Sequence, residues 1–507
     1  MRTRLLAIAA ALLALGVGAC NFDIMNTNQP TLDDLLQNPT RSKLQFFGSG
    51  LFAQARQDIQ NFIWRVGSMG REGINLSGNN QPDFIEPYFG PVEGGGSFGD
   101  TQWATPYVEV RDANVFLTAL AKTPDIAADP VHGVAAGEKA GARALANTLK
   151  ALSLMYVIET RAQLGAPVAV DVAVTATPAP FVRQDSVYKY IVALLDSGAA
   201  DLGRVGTDTV FLFPLPPGFA LFATPATFLQ FNRALAAKAN VLRATDSTAT
   251  QAACGGNKTT CYATALTAMG ASFLSTAPTN FGTGAFYDFG TGSGDVLNNM
   301  SEPLSALTFF ALQDNIADAD TQPIPGHVKD QRVLSKIALA TSQQTALLGS
   351  IPIPGQLKFT VYMTNGAADP THPIPVIRDE ELVLLRAEAE WFTGNHAAAL
   401  IDLNNVRQNS GKLAADTVTT ASPDSNFVKA LMYERRYSLL WEQGTRWVDA
   451  RRFGRLSDIP TDIPLSFSTA GHVPPEMPVP QSECNARNLT ASAIAAGEVV
   501  TCQPPLM

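Results

Sequence analysis

Apolar side chains recur at helical spacing through most of this 507-residue chain. Between Ser42 and Val66 they fall three or four positions apart, which is the period of one face of an α-helix. Leu44, Phe47 and Leu51 show the pattern. Further helices are predicted near residues 101–120, 137–165, 185–202, 225–244, 261–274, 379–393, 395–409, 426–443 and 447–452. The pattern therefore predicts a mainly α protein.

The predicted helices form pairs, and the clearest pair is 379–393 with 395–409. Ala387-Glu388-Ala389-Glu390 leads to Gly394 and then Ala398-Ala399-Leu400, which is similar to a tetratricopeptide repeat, with small residues where two helices cross closely. Such hairpins stack because one alone cannot bury its apolar faces. The other predicted pairs are 42–66 with 101–120, 137–165 with 185–202, and 225–244 with 261–274. We predict that these tetratricopeptide-like hairpins form one right-handed superhelical scaffold.

Long irregular segments separate the pairs, and they are rich in proline, glycine and aromatic residues. The main ones are 70–99, 211–222, 280–304 and 471–481, while 323–364 mixes loop with short strand-like pieces such as 358–363. Ligand contacts lie more often on such loops than on a helical frame.

The N-terminus predicts export. Arg2 and Arg4 precede an uncharged apolar run from Leu5 to Val17, which is too short to span a bilayer and is typical of a secretory signal. Val17-Gly18-Ala19-Cys20 resembles a bacterial lipobox, which implies cleavage before Cys20 and attachment of fatty chains such as palmitate. Residues 1–19 would then be the signal peptide and residues 20–40 a lipidated tether. The alternative is an ordinary signal whose cleavage site happens to neighbour a cysteine.

Charge and cysteine usage agree with an exported protein. The formal net charge is -9, and removing two arginines leaves 34 basic against 45 acidic residues, or -11, which argues against nucleic acid as a partner. Apart from Cys20 there are four cysteines, which suggests two disulfides. Nearest-neighbour pairing, Cys254 with Cys261 and Cys484 with Cys502, is favoured among three possible connectivities. A metal site is the rival, but no histidine lies at ligand spacing.

Charged residues concentrate between positions 434 and 452, interleaved with large apolar side chains. An anion site is one reading, but opposite charges at helical spacing favour a partly buried ion-pair network that locks helices together. The predicted network comprises Glu434, Arg435, Arg436, Glu442, Arg446, Asp449 and Arg451.

Aromatic residues in two loops are the best candidates for ligand binding. Sugars present apolar faces that stack on aromatic rings, while carboxylate, amide and guanidinium groups bind their hydroxyls. The alternative is that these rings pack the loops onto the helices. The candidate ligand-binding residues are Arg71, Asn80, Asp83, Phe84 and Tyr88 in the first loop, and Phe286, Tyr287 and Asp288 in the second.

Several motifs, in order along the chain, resemble the RagB/SusD family of nutrient-uptake outer-membrane lipoproteins. They are N-T-N-Q-P-T-L-D-D-L-L at 26–36, Trp103 with Tyr107 and Asn114, L-G-A-P-V at 164–168, P-I-P-V-I-R-D-E-E-L-V-L-L-R-A-E-A at 373–389, Y-E-R-R-Y-S-L-L-W-E-Q-G-T-R-W-V-D-A-R-R at 433–452, and Val479-Pro480 with Glu483 and Asn485.

The resemblance implies a single SusD-like helical-repeat domain at residues 41–507 with a loop-built binding face. It implies capture of a glycan, oligosaccharide or peptide outside the cell and delivery to a TonB-dependent SusC-type barrel in the outer membrane. No catalysis, metal or cofactor is implied. Two alternatives are a lipid-anchored polysaccharide hydrolase, which needs two carboxylates across one cleft, and a helical-repeat adaptor that binds only protein.

Overall fold

A computed structural model describes residues 32–77, 82–89, 92–172, 176–206, 210–245, 254–292, 295–321, 329–348, 351–459 and 473–487. Three positions with predicted roles, Cys20, Asn80 and Cys502, lie outside these residues.

Helices dominate the described chain, which confirms the prediction of a mainly α protein. They are α1 (Leu32–Gln37), α2 (Arg41–Ala55), α3 (Ile59–Met69), α4 (Pro82–Phe89), α5 (Thr101–Lys122), α6 (Ala136–Arg161), α7 (Gln184–Leu202), α8 (Pro225–Ala244), α9 (Lys258–Gly270), α10 (Asp314–Ala317), α11 (Gln331–Lys336), α12 (Asp379–Phe392), α13 (His396–Asn409), α14 (Asp424–Ser438), α15 (Thr445–Arg452) and α16 (Gln481–Ala486).

The strands form small antiparallel sheets. They are β1 (Gly73–Asn75), β2 (Ala166–Pro167), β3 (Phe181–Val182), β4 (Gly284–Tyr287), β5 (Phe309–Ala311), β6 (Ile337–Leu348), β7 (Ile351–Phe359), β8 (Met363–Thr364), β9 (Ala367–Ala368) and β10 (Ile374–Arg378). One sheet has the order β1-β5-β7-β6, and the others pair β10 with β4, β2 with β3, and β8 with β9.

The predicted helix pairs pack as hairpins. Helix α6 packs on α7, α8 on α9, and α12 on α13, while α2 packs on α5. Further contacts of α5 with α6, α7 with α8 and α9 with α12 stack these pairs into one scaffold. The main apolar core runs through the stack, and a second cluster centred on Trp391 lies between α12, α13 and α14.

Small and polar residues allow the close crossing of α6, α7 and α8. A Cβ on Gly198 would lie 3.0 Å from Nδ2 of Asn232 and 3.3 Å from the carbonyl oxygen of Ala144. The buried Asn232 amide donates to Oγ1 of Thr148 at 2.8 Å, and that hydroxyl donates to the Ala144 carbonyl at 2.7 Å. The polar side chain is therefore satisfied inside the helix interface.

Several local predictions differ from the structure. The single helix predicted at 42–66 is two helices, because Asp58 adopts a left-handed backbone conformation (φ 57°) that ends the helical path. The segment 70–99 contains strand β1 and helix α4. The predicted tether includes helix α1, whose Leu35 is fully buried.

The strands of the 323–364 segment also differ from those predicted. They form a hairpin of 12 and 9 residues, β6 and β7, which the short piece predicted at 358–363 only touches.

One predicted disulfide is present, between Cys254 and Cys261 beside the start of α9. Cys484 is buried on α16, and its predicted partner lies outside the described residues, so that pairing stays a prediction. Among the described helices, none is both long enough and apolar enough to cross a membrane.

Two glycines of α2 give opposite expectations for the same substitution. A Cβ on Gly48 would lie 2.1 Å from a ring atom of Phe213, whereas a Cβ on Gly50 would meet nothing within 4 Å. We expect Gly48→Ala to lower the free energy of unfolding by about 1–3 kcal/mol through overpacking. Gly50→Ala should raise it by about 0.5–1 kcal/mol, because alanine favours the helix.

Urea unfolding of both variants against the wild type measures this difference. Equal effects at the two positions would show that Phe213 does not pack against α2 as described.

Candidate functional site

The second predicted loop cluster lines a cleft of about 520 Å³, here called the Phe286 cleft. Its walls are formed by α2, by residues 214–219 at the start of the turn at 217–222, and by β4 with the residues that follow it. The lining residues are Ser49, Phe52, Ala53, Arg56, Pro214, Leu215, Pro216, Pro217, Phe219, Phe286, Tyr287, Asp288, Phe289 and Asp295. The cleft volume lies within the usual range for small-molecule sites.

Buried aromatic rings line one side of this cleft. Phe52 and Phe219 meet edge to face with ring centroids 5.0 Å apart. The buried Tyr287 places its hydroxyl oxygen 3.1 Å from that of Tyr156 on α6. Phe286 is partly exposed, so one aromatic ring of the cleft remains accessible.

Two carboxylates and one guanidinium set the charge of the cleft. The backbone N–H of Gly218 donates to Oδ2 of Asp288 at 2.6 Å, and Arg56 donates to the Asp288 carbonyl and pairs with Asp295 at 2.5 Å. Burial raises the pKa of Asp288, while the Gly218 N–H and the charge of Arg56 act in the opposite direction. With both acids ionised, the three groups carry one net negative charge.

Glycine is required at position 218 for the hydrogen bond between its backbone N–H and Asp288. A Cβ there would lie 2.2 Å from the carbonyl oxygen of Phe286. The backbone of the 217–222 turn can therefore come within hydrogen-bonding distance of Asp288 only because residue 218 has no side chain.

The arrangement provides a stacking surface, hydrogen-bond acceptors and one donor group at the rim of a shaped cavity. These are the groups that bind polar ligands with apolar faces. Within the described part of the chain, no three His, Cys, Asp or Glu side chains are grouped to hold a metal ion.

Three residues of the first predicted loop cluster are buried rather than exposed to a cleft. Arg71, Asp83 and Tyr88 are 1%, 3% and 5% exposed. The Arg71 guanidinium lies 4.2 Å from the centre of the Tyr88 ring, and the Tyr88 hydroxyl donates to the Gly73 carbonyl at 2.8 Å. Asn75 donates to Asp83 at 2.8 Å. These three side chains tie the loop to β1 and offer almost no surface to a ligand in this conformation.

The structure does not bring the two predicted clusters into one cavity. No described residue of 70–99 lines the Phe286 cleft. Phe84 lies on α4, and Asn80 is outside the described residues.

Sequence reasoning missed Arg56, Asp295 and the buried phenylalanines of the cleft. Arg56 lies at the helix break that the periodicity did not reveal, and its partner Asp295 is far away in sequence. The aromatic richness of 211–222 was the available signal for Phe219.

Ion pairs connect the C-terminal helices. Asp449 accepts from Nε of Arg435 at 2.7 Å and from Nε of Arg452 at 2.8 Å, and Arg452 also pairs with Glu388 on α12. Burial opposes ionisation, but the two arginines hold the pKa of Asp449 below its ordinary value. These buried groups join α14 and α15 to α12.

The remaining predicted network residues also bind the frame. Glu434 pairs with Arg332 at 2.6 Å and with Arg407 at 2.9 Å. Glu442 pairs with Lys336 and Arg378, both at 2.8 Å. Of the other three residues, Arg436 forms an ion pair with Asp318. Arg446 donates a hydrogen bond to the Arg71 carbonyl, and Arg451 donates one to the Glu159 carbonyl.

Glu72 joins the first loop to this C-terminal region. Its side chain is fully buried, and its Oε2 accepts the backbone N–H of Trp441 at 3.0 Å. Trp441 has a φ of 61°, an uncommon conformation for a large residue. Burial raises the pKa of Glu72 to about 7, against the lowering effect of the Trp441 N–H and Arg446.

We expect Glu72 to make stability fall as the pH rises. The folded protein keeps the proton to about pH 7, whereas the unfolded chain loses it near 4.5. The protonated Glu72 carboxyl contributes its full share of stability below pH 4.5, and this share is lost as the pH rises through about 7. The free energy of unfolding then falls by about 3 kcal/mol.

Comparing the wild type with Glu72→Gln by urea unfolding across this pH range isolates the effect, since the amide does not titrate. The variant should gain relative stability as the pH rises. Parallel pH profiles for the two proteins would contradict the expectation.

Comparison with known proteins gives the same fold along most of the chain. Residues 354–493 match the SusD family model, and no curated protein matches the chain. A SusD-like carbohydrate-binding protein from Bacteroides fragilis superposes with a TM-score of 0.64 at 16% identity, covering 90% of this chain and 100% of that one.

Two other solved structures agree. B. fragilis NanU has a TM-score of 0.59 at 14% identity, covering 91% of this chain and 98% of that one. A SusD superfamily protein from Bacteroides vulgatus has a TM-score of 0.62 at 12% identity, covering 89% and 97%. Residues 354–493 therefore match the SusD family model, and the fold of the chain is similar to that of these proteins over about nine tenths of its length.

Proposed function

We propose that this protein captures a nutrient glycan or oligosaccharide in the Phe286 cleft and delivers it to a TonB-dependent SusC-type transporter in the outer membrane. Fatty chains on Cys20 would hold it at the membrane with the cleft facing the cell exterior. The observation that carries the proposal is the cleft itself, which is lined by the partly exposed Phe286 ring, by Asp288 and Asp295, and by buried aromatic rings.

Each part of the cleft has a counterpart in a sugar. The Phe286 ring offers a face for stacking on apolar C–H groups, and the carboxylates accept hydrogen bonds from hydroxyls. The net negative charge disfavours acidic sugars. The carbohydrate-binding description of one protein with the same fold supports a glycan over a peptide.

The proposed role is binding without bond cleavage. Arg56 already pairs with Asp295 and contacts the Asp288 backbone, so it holds the cleft in shape. Affinity then depends on a preformed surface, which lowers the entropic cost of binding.

A glycan and peptide array with residues 21–507, followed by calorimetry on the strongest binder, tests the ligand site. Phe286→Ala should weaken binding about tenfold by loss of ring stacking, and Asp288→Asn should weaken it by a similar factor. Phe46→Ala is the matched control, because Phe46 is a half-exposed ring on α2 that does not line the cleft.

Equal losses in all three variants would place the ligand elsewhere. A change in the mass of the bound glycan after incubation would overturn the binding-only role.

The anchor and the transporter are tested in the source cell. Growth with a labelled fatty acid should label the wild type but not Cys20→Ser, and only the wild type should stay with the membranes and co-purify with a TonB-dependent barrel. Labelling of the serine variant would exclude Cys20 as the lipidation site, and purification of the membrane-bound protein without a barrel would contradict delivery.

A further inference from the structure

The charged groups that line the Phe286 cleft do not balance one another. Of the described lining residues, Arg56 is the one basic residue, and Asp288 and Asp295 are the acidic ones. The Arg56 guanidinium pairs with Asp295 at 2.5 Å, and it donates to the backbone carbonyl of Asp288 rather than to the Asp288 carboxylate. None of the ion pairs formed among the described residues includes the Asp288 carboxylate, so its negative charge is the one left over in the cleft.

The Asp288 carboxylate is held in place by the backbone rather than by an opposite charge. The Gly218 N–H donates to Oδ2 of Asp288 at 2.6 Å, which fixes the carboxylate against the 217–222 turn. Burial raises the pKa of Asp288 and the charge of Asp295 raises it further, whereas the Gly218 N–H and the charge of Arg56 lower it. One neutral donor compensates a partly buried carboxylate only in part, so a cationic group of a ligand would stabilise the ionised form.

An accessible aromatic ring lies on the same face of the chain as this carboxylate. Phe286 in β4 is two residues before Asp288, and side chains two positions apart in an extended segment share one face. The intervening Tyr287 is buried while Phe286 and Asp288 are partly exposed, as this alternation requires. Pairing of β4 with β10 sets Phe286 opposite Pro375 and fixes the backbone that carries the ring.

An aromatic ring beside a carboxylate is a combination that binds an ammonium group. The carboxylate accepts a charge-assisted hydrogen bond from the ammonium, and the face of the ring attracts the cation. The rest of the wall adds apolar surface, from the buried rings of Phe52 and Phe219 and from Pro214, Pro216 and Pro217. The cleft therefore favours a ligand that carries a cationic group on a ring with apolar faces.

We propose that the Phe286 cleft selects an amino sugar, with a free ammonium group at Asp288 and the apolar face of the sugar ring on Phe286. The inference rests on the proposed function, because it names the class of saccharide that the same cleft takes. The ammonium group supplies the positive charge that the lining lacks. A neutral sugar leaves Asp288 without a counter-charge, and an acidic sugar adds a further repulsion to the one between Asp288 and Asp295.

Three β-1,4-linked trisaccharides that differ only at the second carbon of each ring isolate the effect of charge. The trimer of glucosamine carries ammonium groups there, the trimer of N-acetylglucosamine carries neutral amides, and cellotriose carries hydroxyls. Calorimetry with residues 21–507, at a pH below that at which the amine titrates, should show the glucosamine trimer binding about tenfold or more tightly than either neutral trimer. Added salt should weaken the glucosamine trimer most, because salt screens its attraction to Asp288.

Two variants and a matched control assign the preference to the cleft. Asp288→Asn should remove the preference, so that the three trimers bind within about twofold of one another, while Phe286→Ala should weaken all three. Asp196→Asn is the control, because it removes the same single charge from a mostly exposed carboxylate on α7 that does not line the cleft. The control should keep the preference, and circular dichroism verifies that all variants fold.

The outcomes separate this inference from the proposed function. Equal binding of the three trimers by the wild type, tightest binding of a neutral or acidic glycan on the array, or an unchanged preference in Asp288→Asn would overturn the amino-sugar inference and leave glycan capture standing. If no trimer and no glycan of the array binds, both are wrong. Tighter binding of a lysine peptide than of the glucosamine trimer would assign the cleft to a peptide and overturn both.

Discussion

The buried pairing of Asp449 with Arg435 and Arg452 is the constraint on which the C-terminal frame depends. Asp449 is 2% exposed, and each arginine reaches it from a different part of the α14–α15 hairpin. Arg452 continues to Glu388, which also accepts the Tyr262 hydroxyl from α9 at 3.0 Å. Removing one partner from such a chain leaves a buried charge unpaired, which destabilises any helix arrangement in which the partners do not meet.

The same region anchors segments that are distant in sequence. Trp441 stacks on Phe359 of β7 with ring centroids 4.1 Å apart, and its backbone N–H is held by Glu72 beside β1. Tyr362 donates to the Trp441 carbonyl at 2.8 Å. One tight turn between α14 and α15 thereby fixes the four-stranded sheet against the helical stack. The first predicted loop cluster packs into this region, which explains why Arg71 and Tyr88 are buried.

The helical scaffold supports the second predicted loop cluster, which lines a cleft. The Phe286 cleft combines α2, the 217–222 turn and β4, and β4 is itself held by pairing with β10 just before α12. The helical scaffold of a SusD-like fold thus serves to bring three separated segments together.

Helix positions and helix pairing could be predicted from the sequence because both depend on local spacing. The apolar period and the small residues near Gly394 are properties of neighbouring positions, and the predicted bounds of α8 match the structure. The predicted closeness of Cys254 and Cys261 is equally local. What only the tertiary structure decided is which side chains are buried and which distant groups meet. Asp58 ends a helix although the apolar period continues through it, and Arg71 is buried by residues from other parts of the chain. Arg56 pairs with Asp295, more than two hundred residues away in sequence. Burial and pairing depend on the whole packed chain, so no periodic pattern along the sequence reveals them.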